Sequence, residues 1–303
     1  MVELDDYQSD AENQWCPGCP NFGILKAMKN ALVALDKRPE EICLVSGIGQ
    51  AAKLPHYLRC NFFNGLHGRA LPVATAISVV SPQLRTIVVT GDGDCYGEGG
   101  NHFVHTVRRN PDLTLIVHNN QIYGLTKGQA SPTTDTGDKT RLQFEGVKIS
   151  PLQPLALAIV HDCPFVARGF AGDIKHLTEL FVAAIQFRGL SYVDVIQPCI
   201  TWGTHPISWY RDRIYHLPPD YDPHDQQAAM KKATEWADRI PIGIFYETEE
   251  PPELFGEYFR ASIYDGALTS LNFPPQRAIA ALLGQFKTAK QHGAQERGGS
   301  GKA

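Results

Sequence analysis

Three polar side chains stand where the sequence could hold a metal ion and a phosphate group. Asp92 and Asp94 follow the apolar run RTIVVT within the string GDGD, and Asn120 follows the apolar run LTLIVH. Carboxylate and amide oxygens are hard ligands that Mg²⁺ prefers, usually together with phosphate oxygens. Gly91 and Gly93, on either side of Asp92, would let the backbone approach a diphosphate closely. The sequence therefore predicts a magnesium and diphosphate site, although GDGD alone would equally fit an ordinary turn.

Five short apolar runs predict the strands that position these side chains. The runs span residues 42–47, 85–91, 113–119, 164–169 and 192–199, and helical patterns separate them at 21–35, 70–80, 101–110 and 173–189. Apolar strands alternating with helices are typical of a sheet covered on both faces. We therefore predict an α/β fold with a mostly parallel sheet flanked by helices. Ligands bind such sheets at the carboxyl ends of strands, where Asp92 and Asn120 would lie side by side.

The chain divides by composition into three predicted parts. Residues 1–203 are predicted to form the α/β domain, with a CxxC segment near its start. Residues 204–284 are predicted to be a C-terminal extension that packs on the main domain or on a partner. In this extension a helical stretch at 226–239 precedes an apolar run at 240–247. Residues 285–303 are polar and glycine-rich, which predicts a disordered tail.

Charge and hydropathy narrow the classes of function. The net charge is -4, and scattered Lys and Arg residues give no basic surface of the kind that binds nucleic acid. The first residues are acidic and polar, and no run approaches the ~20 apolar residues that span a bilayer. We therefore expect a cytoplasmic protein with neither nucleic acid nor membrane as partner. Seven cysteines in such a protein favour metal or redox thiolates over disulfides.

Several strings together resemble a known family. GDGD followed by HNNQIYG is similar to the thiamine diphosphate signature, and WCPGC, SGIG, LHGRA, YGLTKGQASPT and IQPC resemble the β subunit of the 2-oxoacid:ferredoxin oxidoreductases. The resemblance covers residues 14–202 and implies the thiamine-diphosphate-binding fold, with Mg²⁺ held by Asp92, Asn120 and the carbonyl of Ile122. The cofactor-binding residues that it implies are Gly49, Gln50, His67, Gly91, Asp92, Gly93, Asp94, Asn120, Ile122, Gly124 and Leu125.

The resemblance also implies an activity and its partners. It indicates oxidative decarboxylation of a 2-oxoacid to an acyl-CoA and CO₂, with coenzyme A as co-substrate and ferredoxin as electron acceptor. The loop YGLTKGQASPT resembles the 2-oxoglutarate or broad-substrate branch. An α subunit, or a fused γ-α subunit, would supply the glutamate that activates thiamine.

Four side chains are candidates for contact with the substrate. His67 could pass a proton and Arg69 could pair with an anion. A helix cap and a surface arginine are the alternative explanation of these two residues. Lys127, and less strongly Lys53, could meet a carboxylate or a coenzyme A phosphate, although most lysines are only solvated.

The cysteines leave open which group, if any, they bind. The CxxC pair alone could be half of a zinc site, a redox disulfide or a structural turn, whereas the resemblance implies a [4Fe-4S] cluster held by Cys16, Cys19 and Cys199. The family usually has a fourth cysteine where this chain has Gln50, and an amide is a poor iron ligand. Either Cys60 substitutes, or an outside ligand completes the cluster, or the cluster is absent. The last case would leave a non-redox thiamine diphosphate decarboxylase or synthase subunit. A non-catalytic binding module is the further alternative.

Overall fold

The computed structural model describes residues 1–250, 253–258 and 280. Residues Met1–Ala267 form one compact unit, and a second unit, Leu268–Ala303, includes only residue 280 of the described residues. The predicted disordered tail at 285–303 therefore lies outside the described residues, and the predicted division at residue 203 stays a prediction. No helix within the described ranges is long and apolar enough to cross a membrane.

Helices flank the sheet as the apolar periodicity predicts. The α-helices of the described residues are α1 (Asn21–Ala34), α2 (Ala70–Val80), α3 (Gly100–Arg109), α4 (Pro154–Val160), α5 (Ile174–Gln186), α6 (Ile207–Arg211) and α7 (Gln226–Ala233). Residues Ala51–Tyr57 form a 3₁₀ helix, and Gly93–Glu98 form a π-helical turn. Asp173 and Asp225 cap α5 and α7, because each carboxylate accepts a hydrogen bond from a backbone N–H of the first turn.

The strands build one large sheet and a small hairpin. They are β1 (Ile42–Ser46), β2 (Asn61–Asn64), β3 (Arg85–Gly91), β4 (Leu113–Asn119), β5 (Ile122–Tyr123), β6 (Gln129–Ala130), β7 (Phe165–Phe170), β8 (Leu190–Ile196), β9 (Ile214–His216) and β10 (Ile240–Glu247). The order in the large sheet is β2-β1-β3-β4-β8-β7-β10-β9, and β5 pairs with β6. Among the described strands of the large sheet, only β7 and β10 pair in antiparallel orientation.

The C-terminal segment completes this sheet, which the sequence does not predict. The apolar run at 240–247 forms β10, which pairs with β7 in antiparallel register and with β9 in parallel register. The extension thus supplies two strands to the main sheet, beyond the packing that its sequence indicates. Helix α7 also ends at Ala233, earlier than the predicted stretch, which continues to residue 239.

Alternate residues of the strands fill two cores on opposite faces of the sheet. Ile87 and Val89 of β3 belong to the core that α1 and α5 cover, whereas Val88 belongs to the core under α2, α3 and α4. Each fully buried aliphatic side chain of this kind stabilises the fold by about 1.5–3 kcal/mol. Burial on both faces explains why the parallel strands are continuously apolar in sequence.

This packing fixes the geometry of one sheet edge. Strands β3 and β4 are parallel neighbours, and Gly91 at the end of β3 pairs with His118 near the end of β4. Asp92 and Asn120 therefore follow two adjacent strands at the same carboxyl edge, as predicted.

Candidate active site

A cleft lies at the carboxyl ends of β1, β3 and β4. All the residues that are predicted to bind the cofactor line this cleft: Gly49, Gln50, His67, Gly91, Asp92, Gly93, Asp94, Asn120, Ile122, Gly124 and Leu125. The side chains come from separate loops of the chain, and the parallel sheet brings those loops to one edge.

Asp92 is a buried carboxylate at the floor of the cleft. It is 1% exposed, and its Oδ2 accepts hydrogen bonds from the hydroxyls of Ser131 and Thr133, the latter at 2.7 Å. Burial raises the pKa of Asp92 to about 6, and the two hydroxyl hydrogen bonds oppose this shift. A cation beside the carboxylate would favour its charged form. An acidic oxygen ligand therefore suits this position.

The turn after β4 is held by its own side chains. Asn120 Oδ1 accepts a hydrogen bond from Ile122 N at 3.0 Å. Gln121 has a φ of 58° in the left-handed region, and its Nε2 donates to the carbonyl of Thr133 at 2.7 Å. These contacts fix the backbone between Asn120 and the β5–β6 hairpin, so that the turn presents a rigid wall to the cleft.

Asp94 organises the loop that carries His67. Its carboxylate accepts hydrogen bonds from Gly68 N at 2.7 Å and from the hydroxyl of Thr90, and it contacts His67 Nδ1 at 2.5 Å. The sequence predicts that Asp94 binds the cofactor; Asp94 lines the cleft, and its carboxylate oxygens accept hydrogen bonds within the protein. The pairing leaves His67 Nε2 as the ring nitrogen that can meet a ligand.

Two glycines are required by close packing in the cleft. A Cβ at Gly47 would lie 2.0 Å from Asp94 Oδ2, and a Cβ at Gly93 would lie 2.3 Å from the ring of Tyr123. The need for glycine at position 93 thus has a packing reason besides access for a diphosphate. Gly93 lines the cleft beside Asp92 and Asn120, whose oxygen atoms fit a magnesium diphosphate group.

Three cysteines line a pocket next to the cleft. Cys16 and Cys19, before α1, and Cys199, after β8, share this pocket with Asn120 and Gln50, which also line the cleft. The sulfur atoms face hydrogen-bond donors: Thr201 Oγ1 to Cys16, Trp202 N to Cys199, and Gln197 Nε2 to Cys19. Three sulfur donors in one pocket fit three corners of an iron–sulfur cluster.

Cys19 of the CxxC pair does not have the low pKa that its position just before α1 suggests. Burial raises the pKa of Cys19 to about 11, and the neighbouring Cys199 and Cys16 act in the same direction. Withdrawal from water therefore outweighs the favourable field of α1 at this thiol.

Gln50 stands between the cysteine pocket and the cleft. Its Oε1 is buried and has no hydrogen-bond partner, while its main-chain oxygen accepts a hydrogen bond from Trp15 Nε1 at 2.8 Å. A buried acceptor without a donor is costly, so a ligand that donates a hydrogen bond here would stabilise this side chain.

Cys60 lies away from the other three cysteines. It directly precedes β2, and Asn61 of that strand pairs with Cys43 in the first half of β1. The 3₁₀ helix after β1 carries the chain back toward the amino ends of the strands, so Cys60 is not in the cysteine pocket. The suggestion that it substitutes as the fourth ligand therefore loses its structural basis.

Only one of the four predicted catalytic side chains lines the cleft. That residue is His67, whereas Arg69 contacts the ring of His102 on α3. Lys53 lies in the 3₁₀ helix, and Lys127 is an exposed residue with a φ of 75°. The two lysines and Arg69 are thus outside the cleft lining.

Comparisons with known proteins match both the cleft and the segment after it. Residues 46–195 match the family described as "Thiamine pyrophosphate enzyme, C-terminal TPP binding domain", and residues 199–259 match the family of the C-terminal part of the pyruvate ferredoxin oxidoreductase beta subunit. A 2-oxoacid:ferredoxin oxidoreductase subunit beta of Saccharolobus solfataricus is 47% identical over 251 residues, which cover 78% of this chain and 82% of that one. The chain belongs to this family of β subunits.

Further similarities extend over most of the β subunit. The subunit beta of a Sulfolobus species is 42% identical over 290 residues, covering 91% of this chain and 93% of its own. The solved 2-oxoglutarate:ferredoxin oxidoreductase from Magnetococcus marinus, with 2-oxoglutarate, coenzyme A and succinyl-CoA bound, is 33% identical with a TM-score of 0.84, covering 93% and 96% of the two chains. The predicted family and the mostly parallel α/β fold are confirmed.

A network of buried, hydrogen-bonded polar side chains lies below the cleft of the β subunit and is not predicted from the sequence. Thr133 Oγ1 lies 2.9 Å from Asn119 Oδ1, Asn119 Nδ2 donates to Asp194 at 3.2 Å, and Arg168 Nε donates to Asp194 at 3.4 Å. Burial raises the pKa of Asp194, and Arg168 opposes that shift. A charged residue within each apolar strand, β7 and β8, is the signal that could have revealed it.

The close packing between Gly47 and Asp94 can be tested by substitution. We expect Gly47→Ala to lower the free energy of unfolding of the β subunit by about 1–3 kcal/mol, because the added methyl group must displace the buried Asp94 carboxylate. Urea unfolding measures the change. Gly100→Ala is the matched control, since a Cβ at the start of α3 meets nothing within 4 Å. Equal unfolding midpoints for the two variants would contradict the packing described.

Proposed function

We propose that the β subunit binds thiamine diphosphate through a Mg²⁺ ion coordinated by Asp92, Asn120 and the main-chain carbonyl of Ile122. One observation carries this proposal: the buried Asp92 and the partly buried Asn120 follow neighbouring parallel strands and line one cleft. Both offer oxygen atoms, which Mg²⁺ prefers. Gly93 and the rigid 120–125 turn would hold the diphosphate.

The side chains of the cleft would then have separate roles. Bound thiamine diphosphate supplies the carbanion chemistry that removes CO₂ from a 2-oxoacid. The protein would orient the cofactor and neutralise its charge, since Ser131 and Thr133 hold the Asp92 carboxylate in one position. His67 is 40% exposed and anchored through Nδ1 to Asp94, so that its Nε2 can exchange a proton or donate to an anion.

We infer that the complete enzyme uses 2-oxoglutarate, or a broad range of 2-oxoacids, with coenzyme A as acyl acceptor. The bound ligands of the Magnetococcus marinus enzyme support this substrate class. Lys127 follows Leu125 and Thr126, which line the cleft, and its exposed ammonium group is available for a carboxylate or phosphate at the mouth. Arg69 and Lys53 are secondary candidates, because neither lines the cleft.

Electrons would leave through a cluster beside the cleft. Cys16, Cys19 and Cys199 would hold three corners of a [4Fe-4S] cluster, and ferredoxin would accept its electrons. Gln50 occupies the side of the pocket that faces the cleft, so that an outside ligand or the amide itself would complete the fourth corner.

One observation supports a second function, namely that Gln50 stands where the family usually has a fourth cysteine. Without a fourth strong ligand, the protein could act as a non-redox thiamine diphosphate decarboxylase whose cysteines hold no iron. The iron content of anaerobically purified protein separates the two functions.

An α subunit, alone or fused to a γ subunit, would complete the site in the cytoplasm. The mouth of the cleft exposes apolar side chains, including Ile48 at 38%, Leu125 at 49% and the neighbouring Leu66 at 76%. Exposed apolar surface around a cleft is typical of a region that a partner covers. The partner would also supply the glutamate for thiamine activation.

The metal assignment is tested at Asp92. We expect Asp92→Ala to weaken Mg²⁺-dependent binding of thiamine diphosphate by at least about 100-fold, because loss of a direct ligand exceeds the usual effect of an outer-shell change. Calorimetry measures the affinity, and circular dichroism checks the fold. Asp220→Ala changes an exposed aspartate and is the control. Unchanged affinity in Asp92→Ala, with the control also unchanged, would remove the assignment.

The need for a partner is tested by turnover. We expect the β subunit alone to show no oxidation of 2-oxoglutarate with coenzyme A and an artificial acceptor, and co-expression with the α subunit to restore it. The physical reason is that thiamine activation requires a carboxylate from outside this chain. Turnover by the homogeneous β subunit alone would refute the two-subunit arrangement.

The cluster is tested at Gln50. We expect Gln50→Cys to slow the loss of visible absorption in air at least severalfold, because a fourth thiolate replaces a weak ligand. Cys60→Ser should behave like wild type, since Cys60 lies outside the cysteine pocket. If anaerobic wild type holds no iron and still releases CO₂ when paired with its partner, the ferredoxin-linked function fails and the non-redox one replaces it.

A further inference from the structure

A second cluster of metal-ligating side chains lies outside the cleft. Asp173, His176 and His216 each offer one ligand atom, and these atoms all lie within 4.8 Å of one another. Asp173 and His176 belong to the start of α5, whereas His216 ends β9 at the far edge of the sheet. The cluster therefore joins a helix of the thiamine pyrophosphate domain to the C-terminal segment.

The three side chains are already arranged around a common point. His216 Nε2 lies 3.2 Å from Asp173 Oδ2, and the rings of His176 and His216 are 4.5 Å apart between centroids at an angle of 72°. Asp173 Oδ1 caps α5 by accepting a hydrogen bond from His176 N at 3.2 Å. One carboxylate oxygen thus fixes the group to the helix while the other faces the histidines.

An unsatisfied nitrogen is the second, independent observation. His176 Nδ1 is buried and has no hydrogen-bond partner, although a buried polar atom ordinarily has one. An imidazole nitrogen binds transition metals well, and two imidazoles with one carboxylate form a common ligand set for such ions.

We propose that Asp173, His176 and His216 form a Zn²⁺ site with a fourth position open to water. Zinc bonds of about 2.0–2.2 Å to nitrogen and oxygen put tetrahedral ligand atoms about 3.4 Å apart. The Asp173–His216 pair is already near this spacing, and because no pair exceeds 4.8 Å, the widest separation needs to close by at most about 1.4 Å. The exposed His216 side chain can make that adjustment, because its ring is 56% exposed.

A neighbouring cluster has no buried nitrogen without a hydrogen-bond partner, such as His176 Nδ1 is in this one. Asp135, Asp138 and His205 also lie within 4.8 Å of one another. However, Asp135 Oδ2 accepts a hydrogen bond from Trp236, and Asp138 Oδ2 accepts one from Thr204. That cluster is satisfied by protein donors, so the zinc proposal rests on the site at α5.

The expected effect of zinc is a link between two distant parts of the chain. Strand β9 has three residues and pairs with only one neighbour, β10, in the described sheet. A bound ion that bridges His216 and α5 would hold this short edge strand in place. Because the ion binds the folded state, it would raise the unfolding temperature.

The test is a zinc titration of the complete β subunit, first dialysed free of zinc. Calorimetry compares wild type, His216→Ala, Asp173→Asn and the control His161→Ala, which changes an exposed histidine elsewhere. Asparagine caps a helix as well as aspartate does, so Asp173→Asn removes the charge and keeps the cap. All four proteins retain Cys16, Cys19 and Cys199, and zinc bound by those thiols cancels in the comparison.

We expect wild type and the control to bind one more zinc equivalent than the two site variants, or to bind it at least tenfold more tightly. Their unfolding temperature should rise with zinc, while that of His216→Ala and Asp173→Asn should rise less. Equal stoichiometry, affinity and thermal shift in all four proteins would overturn the site. This outcome is independent of thiamine diphosphate binding, since none of the altered residues lines the cleft.

Discussion

The burial of one carboxylate governs the carboxyl edge of the sheet. Asp92 sits almost entirely out of water directly after β3, and an ion withdrawn from water costs several kilocalories per mole unless other groups compensate. Ser131 and Thr133 compensate only in part, because burial still dominates the pKa of the carboxyl group. The loop that carries these hydroxyls and the turn after β4 are both arranged around this single requirement.

The hydrogen bonds below the cleft favour the proposed position of the cation. The Thr133 hydroxyl has one hydrogen, yet it lies between two acceptors, Asp92 Oδ2 and Asn119 Oδ1. Asp194 adds a second buried carboxylate, and it raises the pKa of Asp92 further. Arg168 is the buried positive charge paired with this network, and it contacts Asp194. Because burial and Asp194 both disfavour the charged form of Asp92, a metal ion beside that carboxylate would favour it.

Sequence patterns predict the strands and their site residues well where burial is continuous. Strands β3 and β4 have the predicted bounds, because both faces of each are covered and nearly every residue is buried. Strand β2 is not predicted, since its four residues are exposed and carry no apolar pattern. The position of Cys60 just before β2 is likewise not predicted, because the return of the chain to the amino ends of the strands is not visible in the sequence. Ser131 and Thr133 also escape prediction, because loop hydroxyls are common and only three-dimensional contact distinguishes these two.

The antiparallel strand β10 has a consequence for synthesis on the ribosome. Strand β7 pairs with β8 on one side and with β10 on the other, so its second edge stays unpaired until residues 240–247 emerge. Chains grow from the N-terminus over seconds, and an apolar edge left open for that time invites pairing with other nascent chains. The segments between β8 and β10 lengthen this interval. Protection of the nascent β7 edge during this interval would therefore raise the yield of folded protein.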